Sequence, residues 1–326
     1  MDVLSDVLKA VRLTGAIFFE RHLHAPWVGE SPHSAAIAAT VMPDAEHVIS
    51  FHAILSGSCW AALVGNSESS KRFNAGDIVI YPMGDANVLS SAPGMRGHPD
   101  LEQYCRPKGR PLPIVIRLNN DGANYCHLVC GYFGCDARPF NPLLEALPRM
   151  LLSQMSAAGQ SWLANMLRLA AEEAERGSAG TESLLAKVAE LMFVEVVRKY
   201  ITHLPDDSKG WLSGLKHRHV GHALRLIHEE PEKPWTLAEL AREVGLSRTV
   251  FADRFSRYVG VSPMHYLGRW RMQLAIRQLT IPGVSVAQAG AEVGYESEAA
   301  FNRAFKKYVG MPPGSWRKSK SSPALK

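Results

Sequence analysis

One sequence pattern occurs twice between residues 236 and 316, and it restricts what this part of the chain can fold into. Small residues and a glycine of the first copy recur 49 residues later, and aromatic residues, a glycine and a proline recur 50 residues later. The first copy holds Ala238, Ala241, Val244, Gly245, Phe251, Phe255, Tyr258, Gly260 and Pro263, and the second holds Ala287, Gly290, Val293, Gly294, Phe301, Phe305, Tyr308, Gly310 and Pro313. Such a repeat predicts two copies of one structural unit.

Each copy has the pattern of two helices joined by a tight turn. Gly245 and Gly294 stand where a positive φ ends the first helix, and Ser247 and Ser297 follow as N-caps of the second. The second helix carries two phenylalanines at i, i+4 spacing, which places them on one buried face. This pattern predicts a helix-turn-helix, whose second helix lies in the major groove of DNA. Two ordinary helical hairpins are the alternative, and the repetition argues against them.

The C-terminal part is basic, whereas the rest of the chain is mildly acidic. From Trp211 to the end there are 18 lysines and arginines against 9 acidic residues, and residues 1–210 have 18 against 22. A basic domain on an acidic body is typical of proteins that bind nucleic acid.

Between residues 16 and 135 the pattern changes to short apolar or alternating runs, separated by glycine, proline, asparagine and aspartate. The runs are AIFFE, HVISFHAIL, CWAALVG, DIVIYP, PIVIRL and YCHLVCGYF. Short strands at this spacing predict a β-sandwich or barrel. Residues 99–113 are rich in proline and charge, and they predict an exposed loop within it.

Helical periodicity returns at Pro142 and continues to about residue 202. A first apolar group, Leu143 to Leu151, predicts one helix, and a second helix follows and is closed by Gly177. A longer helix over residues 181–201 has two apolar lines, made of Leu184, Val188 and Leu191 and of Leu185, Met192 and Val196. This stripe is broader than packing on one side needs, so it predicts a helix that also lies in a dimer interface. A hairpin packed only within its own chain is the alternative.

Three C-terminal segments resemble the paired helix-turn-helix domain of AraC/XylS-type bacterial transcription regulators. They are LAREVGLSRTVFADRF, PMHYLGRWRMQLAIRQL and AFNRAFKKYVGMPPGSWR, of which the last is the most specific. The resemblance implies that a linking helix over residues 263–279, roughly 25 Å long, holds two recognition helices about one DNA turn apart. It also implies that the helical hairpin before this domain makes the dimer contact.

The N-terminal part resembles a cupin jelly roll. Residues 76–84, GDIVIYPMG, have the G-x5-P-x-G form of the second cupin motif, and HLVCGYFGCDARPFNPLLEALPRML is similar to the end of the cupin sensor domain in one AraC-type subfamily. The predicted fold class is therefore α+β multidomain, with a β jelly roll and helical hairpin followed by an all-α domain. We expect a cupin-like sensor domain at 1–145, a helical dimerisation region at 146–202, a linker at 203–214 and a DNA-binding domain at 215–326.

The cupin resemblance departs from metal-binding cupins at the ligand positions. Such cupins have a histidine where this chain has Asn87, and their first motif supplies a His-x-His pair that this sequence lacks. His47 and His52 point to opposite faces of a strand because they are five residues apart. One histidine and an asparagine make a poor transition-metal site, so we expect no metal and no cofactor. We predict instead that His52, Trp60 and Asn87 line an effector pocket. A metal-dependent cupin enzyme with an appended DNA-binding domain is the alternative.

The DNA contacts are predicted in the N-terminal halves of the two second helices, where base edges are read. We expect Val250, Phe251 and Phe255 to face inward. The first helix then offers Ser247, Arg248, Thr249, Ala252 and Asp253, and the second offers Ser297, Glu298, Ala299, Asn302, Arg303 and Lys306. Arginine binds guanine or phosphate, asparagine suits adenine, aspartate accepts from cytosine, and a methyl group contacts thymine.

The sequence has no phosphate-binding loop, nucleophile elbow or zinc-protease motif, and it predicts no enzyme. The expected partners are promoter DNA, a second copy of the chain, a small-molecule effector and, at an activated promoter, RNA polymerase. No signal segment and no apolar run of membrane length occur, which predicts a cytoplasmic protein without a membrane partner.

Cys126, Cys130 and Cys135 form a cluster in the sequence. On a strand, Cys126 and Cys130 share a face about 13 Å apart, which is too far for a disulfide. The resemblance implies that some related regulators respond to oxidants through cysteine, and this makes Cys130 the candidate redox residue. Inert core cysteines are the alternative.

Overall fold

The computed structural model describes residues 2–105, 112–119, 124–154, 162–176, 178–205 and 208–321. Contacts divide the chain into two compact units. The β-rich unit comprises Leu13–Asp136 and Leu147–His203. The helical unit comprises the residues up to Arg12, Ala137–Ala146 and the described chain from Leu204 onward. The helical unit therefore includes two segments that lie far from its main part in sequence.

Two sheets form the β-rich unit. Its strands are β1 (Thr14–His24), β2 (Val28–Ser31), β3 (His47–Ser56), β4 (Ser58–Leu63), β5 (Asn66–Asn74), β6 (Ile78–Tyr81), β7 (Asn87–Ser90), β8 (Ile114–Leu118), β9 (Tyr125–Cys135) and β10 (Leu151–Ser153), and a short helix α2 (Ala38–Val41) precedes β3. The six-stranded sheet has the order β10-β6-β3-β9-β1-β8, and the four-stranded sheet has the order β2-β7-β4-β5. Strands β1 and β8 are parallel, and the other pairs are antiparallel.

The core of this unit lies between the two sheets. Phe19 and Leu23 from β1 meet Phe73 and Leu89 from the four-stranded sheet in one buried cluster. The six predicted apolar runs all form strands, so the predicted β-sandwich is confirmed. The sequence pattern did not predict β2, β5, β7 and β10, which are short or polar. Three of these four strands lie at sheet edges, where solvent tolerates polar side chains.

The motif at residues 76–84 forms the predicted turn, strand and turn. Gly76 and Gly84 have φ of 92° and 70°, and β6 lies between them. A Cβ at Gly84 would lie 2.7 Å from the carbonyl oxygen of Val48, so a side chain there would collide with the neighbouring strand. Glycine is therefore required at this position for both its φ and its size.

The predicted helix from Pro142 through Leu151 is wrong in its second half. Only α3 (Pro142–Ala146) is helical, whereas Leu151–Ser153 forms the edge strand β10 beside β6. Pro148 explains the interruption, because it cannot donate the hydrogen bond that a helix interior needs. The helical pattern resumes in α4 (Trp162–Arg176) and α5 (Thr181–His203). The predicted helix stop at Gly177 lies outside the described residues.

Helix α5 packs on the face of the six-stranded sheet that points away from the other sheet. The ring of Phe193 meets Phe133 of β9 edge-on at 4.9 Å between centroids. At Gly15 of β1, an added Cβ would lie 2.9 Å from the Cβ of Ala189, so glycine allows the close approach. Phe193 and Ala189 thus lie on the side of α5 that packs on the sheet, whereas Leu184 and Leu191 remain exposed.

The helical unit consists of α1 (Val3–Ala10), α3, α6 (Trp211–Lys216), α7 (Arg218–Glu229), α8 (Leu237–Glu243), α9 (Arg248–Val259), α10 (Pro263–Leu279), α11 (Val286–Glu292), α12 (Glu298–Val309) and α13 (Pro313–Ser321). Helix α1 contacts α7 and α10, and α3 contacts α6. The predicted all-α domain with two helix-turn-helix motifs is confirmed.

Residues 106–111 of the predicted loop at 99–113, 155–161 of the predicted helical region, 206–207 of the predicted linker and 322–326 of the predicted DNA-binding domain lie outside the described residues. In the described part of the chain, no helix is both long enough and apolar enough to cross a membrane.

Candidate nucleic-acid interface

The two helix-turn-helix motifs have nearly the same turn. Gly245 and Gly294 have φ of 70° and 83°, as the sequence predicted. After each glycine, a backbone N–H returns to the first helix, from Leu246 to Ala241 at 2.9 Å and from Tyr295 to Gly290 at 3.0 Å. These bonds satisfy helix-end carbonyl groups and fix the angle at which the second helix leaves.

Each helix of the two motifs starts at a hydroxyl cap. The predicted caps are confirmed, because Ser247 accepts from the N–H of Val250 at 3.4 Å and Ser297 accepts from the N–H of Ala300 at 3.3 Å. The preceding helices α8 and α11 begin with capping boxes, Thr236 with Glu239 and Ser285 with Gln288. Local hydrogen bonds therefore define all four helix starts in the same way.

Aromatic side chains fix the rotation of α9 and α12. Phe251 and Phe255 are fully buried and meet edge-on at 5.7 Å, and Phe301 and Phe305 do the same at 5.5 Å. Because these residues face the interior, the opposite face of each helix is directed to solvent. That exposed face is where a helix-turn-helix contacts bases.

The exposed face of α9 carries most of the predicted contacts. Ser247, Arg248, Thr249 and Asp253 are exposed, and Ala252 is half-buried. Val250 was predicted to face inward, and this is wrong because its side chain is 42% exposed. Val250 lies in the first helical turn, one residue before Phe251, and therefore points about 100° away from the buried face. It joins the residues that can contact DNA.

The exposed face of α12 has a different chemistry. Its accessible residues are Ser297, Glu298, Ala299, Arg303 and Lys306, and Asn302 is half-buried. In the part of the chain that the structure describes, neither Arg303 nor Arg248 of α9 forms an ion pair with a carboxylate. Both guanidinium groups are thus available to phosphate or guanine.

The helix α10 that links the two motifs is largely buried. Its Tyr266 hydroxyl accepts a hydrogen bond from Trp211 at 2.9 Å and lies 2.9 Å from Nε2 of His228. The His228 ring stacks on Trp270 at 4.0 Å, and burial lowers the pKa of His228 to about 3. A neutral histidine is therefore built into the core that supports the first motif.

A second candidate site is a cavity of about 370 Å³ in the β-rich unit. Arg21, Trp27 and His52 line it together with apolar and aromatic side chains, among them Phe19, Leu89, Tyr104 and Tyr132. Within the described part of the chain, Nε of Arg21, Nε1 of Trp27 and Nδ1 of His52 have no hydrogen-bond partner. The cavity thus combines an apolar wall with polar atoms that a ligand can satisfy. Sequence spacing did not single out Arg21, which lies on the same face of β1 as Phe19 and Leu23 and points into the cavity.

Of the three residues predicted for an effector pocket, only His52 lines this cavity, and Asn87 lies beside it. His52 Nε2 lies 3.0 Å from Asn87 Oδ1, and the amide of Asn87 donates to Ser50 and to the carbonyl of Asp85. Trp60 is on the outer face of β4 and lines a separate surface depression. Burial lowers the pKa of His52 to about 4, so this histidine is neutral at physiological pH.

The donor atoms at His52 and Asn87 do not fit the transition metal that cupin enzymes hold. One imidazole and one amide are present, and they are hydrogen-bonded to each other. A transition-metal site needs several imidazole, thiolate or carboxylate ligands that converge on one point. We therefore derive no chemistry through a metal at this position.

The three clustered cysteines are all buried. Cys130 points into the cavity, and burial raises its pKa to about 11. Cys126 lies on the same face of β9 as Cys130. Its hydrogen bond with the thiol of Cys59, together with burial, raises the pKa of Cys59 well above its usual range. Since the thiolate is the reactive form, Cys59 and Cys130 have little of it at neutral pH.

Comparisons with known proteins cover both units. The cupin family model matches residues 2–202, and a helix-turn-helix domain model matches residues 240–319. The HTH-type transcriptional regulator AlkR of Acinetobacter baylyi is 31% identical over 97% of this chain and 99% of that protein. A putative AraC-like transcription regulator of Streptomyces lividans is 30% identical over 99% of this chain and 100% of its own length. The HTH-type transcriptional regulator MtrA of Neisseria gonorrhoeae is 26% identical over 98% of both chains.

Proposed function

Because the chain belongs to the AraC-type helix-turn-helix transcriptional regulators with a cupin-like N-terminal domain, we propose that it binds promoter DNA as an effector-controlled dimer. Its DNA-binding role follows from the family. The observation that carries the proposal is the matched geometry of α9 and α12, which have the same caps, the same buried phenylalanine pair and opposite faces left exposed.

The two recognition helices are proposed to read different bases. Arg248 suits guanine or phosphate, Thr249 and Ala252 suit a thymine methyl group, and Asp253 suits the amino group of cytosine. In α12, Asn302 suits adenine, and Arg303 and Lys306 suit phosphates, with Ser297, Glu298 and Ala299 at the helix start. The 17 residues of α10 span about 25 Å, which fits two helices in successive major grooves on one side of the duplex.

We propose that the cavity around His52 holds the effector. A ligand with an apolar body and a hydrogen-bond acceptor matches the aromatic wall and the unsatisfied groups of Arg21 and Trp27. A redox signal through Cys130 is the alternative, and the raised pKa of this thiol argues against it. Cys126 and Cys135 are also buried, which does not favour direct oxidation.

The dimer is proposed to form through α5. Leu184 and Leu191 are seven residues apart on this helix, and they are 47% and 45% exposed. Seven residues are two helical turns, so the two leucines lie on one side of α5, beside the buried residues that pack on the sheet. Two large apolar side chains on one exposed line fit a second copy of the same helix. A contact with RNA polymerase remains a prediction.

Selection of binding sequences from random DNA tests the proposed function. The full chain is expected to enrich one motif with two half-sites about one helical turn apart, each read by one recognition helix. Enrichment without a sequence motif, or binding that does not weaken as salt rises, would contradict it, because phosphate contacts make binding strongly salt-dependent.

A further inference from the structure

Three ionisable side chains converge on the helix-covered face of the six-stranded sheet. Glu20 and His22 are two residues apart on β1 and share one face of the sheet, and His127 of β9 is paired with His22. His127 lies on the same face of β9 as Phe133, the residue that packs against α5. The cluster is therefore on the other side of the sheet from the cavity that contains His52.

The donor atoms of these three side chains are close together. Glu20 Oε1 is 2.8 Å from His127 Nε2 and 3.3 Å from His22 Nε2, and the two imidazole rings stack at 4.2 Å. One ligand atom from each residue lies within 4.8 Å of the other two. Ligands bound at 2.0–2.1 Å around a tetrahedral Zn²⁺ are about 3.3 Å apart. Small side-chain movements would therefore admit a metal ion.

The environment of Glu20 favours a bound cation. Its side chain is only 1% exposed, and its Oε2 has no hydrogen-bond partner among the described residues. A buried carboxylate with an unsatisfied oxygen is unfavourable unless a positive charge neutralises it. A divalent ion would supply that charge and bind the unsatisfied oxygen.

Tyr125 supports the orientation of one imidazole. Its hydroxyl oxygen lies 2.6 Å from Nδ1 of His22. If Nε2 of His22 binds a metal, its Nδ1 carries the proton and donates to this hydroxyl. Metal-binding histidines usually have such an outer partner, which fixes the tautomer and the ring orientation.

We propose that Glu20, His22 and His127 bind one divalent transition-metal ion, with Zn²⁺ as the best match. Two imidazoles and one carboxylate suit Zn²⁺, whereas Mg²⁺ and Ca²⁺ prefer oxygen ligands alone. Three protein ligands leave one coordination position for water or a small ligand. This site is independent of the DNA-binding proposal, and it departs from the expectation that the protein has no metal.

The test is a Zn²⁺ titration of the tag-free full-length protein, after removal of metals with a chelator and in competition with a chromophoric chelator. The wild type should bind one Zn²⁺ per chain, and excess Mg²⁺ should not displace it. Glu20→Gln and His127→Gln should weaken binding by at least about 100-fold, because loss of an outer-shell partner alone typically reduces affinity about 10–100-fold. His98→Gln, which changes an exposed histidine of the same unit, should bind like the wild type.

Spectroscopy and thermal unfolding add two readouts besides the titration. Co²⁺ should give visible d–d absorption in the wild type and not in His22→Gln, which keeps the buried Glu20 intact. Zn²⁺ should raise the melting temperature of the wild type and of His98→Gln, but not that of the three cluster variants. If the wild type binds no Zn²⁺, or if the three variants bind it like the wild type, the cluster is a hydrogen-bonded ion pair and the proposal is wrong.

Discussion

The backbone N–H of Phe140 donates a 3.2 Å hydrogen bond to Oε1 of Gln273, a residue 133 positions away. The amide nitrogen of the same glutamine donates to the carbonyl of Ala10 at 3.2 Å. All three residues are buried. One side chain of the linking helix α10 thus satisfies two backbone groups from two distant segments of the chain. Close by, the guanidinium of Arg269 stacks over the Phe140 ring at 4.0 Å.

Replacing Gln273 with leucine should destabilise the helical unit by about 2–6 kcal/mol, because two buried backbone groups each lose a partner at a cost of about 1–3 kcal/mol. Gln278→Leu, on the same helix but only half-buried, is the control and should change stability little. Chemical denaturation of both variants measures the difference. Equal stability of the two variants would mean that water replaces the lost hydrogen bonds.

The double variant Arg248→Ala, Arg303→Ala should bind its selected DNA site at least about tenfold more weakly. A bidentate contact of Arg248 to guanine contributes about 1–3 kcal/mol, and the loss of Arg303 removes a phosphate contact as well. Lys306→Ala should weaken all sequences alike and reduce the slope of log affinity against log salt by about 1. Arg225→Ala, an exposed arginine of α7, is the control. Fluorescence anisotropy over a salt series measures all three, and full affinity in the double variant would mean that the contacts are misassigned.

Leu184→Glu with Leu191→Glu should yield a folded monomer. Charges in an apolar interface oppose association, whereas both side chains already point to solvent within one chain. Leu101→Glu changes another exposed leucine, away from α5, and should remain dimeric. Sedimentation velocity distinguishes the species. A monomeric wild type would show that α5 packs only within its own chain.

Acid should destabilise the helical unit through His228. Its pKa is about 3 in the folded state and near 6.5 when unfolded, so the unfolded state binds more protons as pH falls between these values. Above pH 6.5 this histidine is neutral in both states and does not lower the free energy of unfolding. Between pH 6.5 and pH 3 the free energy of unfolding decreases by about 1.4 kcal/mol per pH unit. His228→Gln should flatten the decrease, and His203→Gln, at an exposed position, should not. Denaturation curves at pH 7 and pH 5 provide the comparison.

Cys130→Ser should respond to oxidant like the wild type, because burial keeps this thiol protonated. DNA binding is measured with and without hydrogen peroxide in both proteins. A response that the wild type shows and the variant lacks would establish the redox signal and count against a small-molecule effector. A response shared by both would direct attention to Cys105, which is exposed.

The sequence alone determined the paired motifs and most strands. Caps, turn glycines and phenylalanine pairs interact with residues only one or two helical turns away. Their separation in the sequence therefore fixes their positions relative to one another. Val250 marks the limit of this reasoning. Its exposure depends on whether another element covers the first turn of α9, and sequence spacing does not report that.

Only the tertiary structure decided the contacts between distant segments. It placed α1 and residues 137–146 in the helical unit, and it brought β10 to the edge of β6. It also set His127 opposite His22 through the antiparallel register of β9 and β1. These arrangements depend on strand register and on which buried groups remain unsatisfied, and both arise only after residues far apart in the sequence have met.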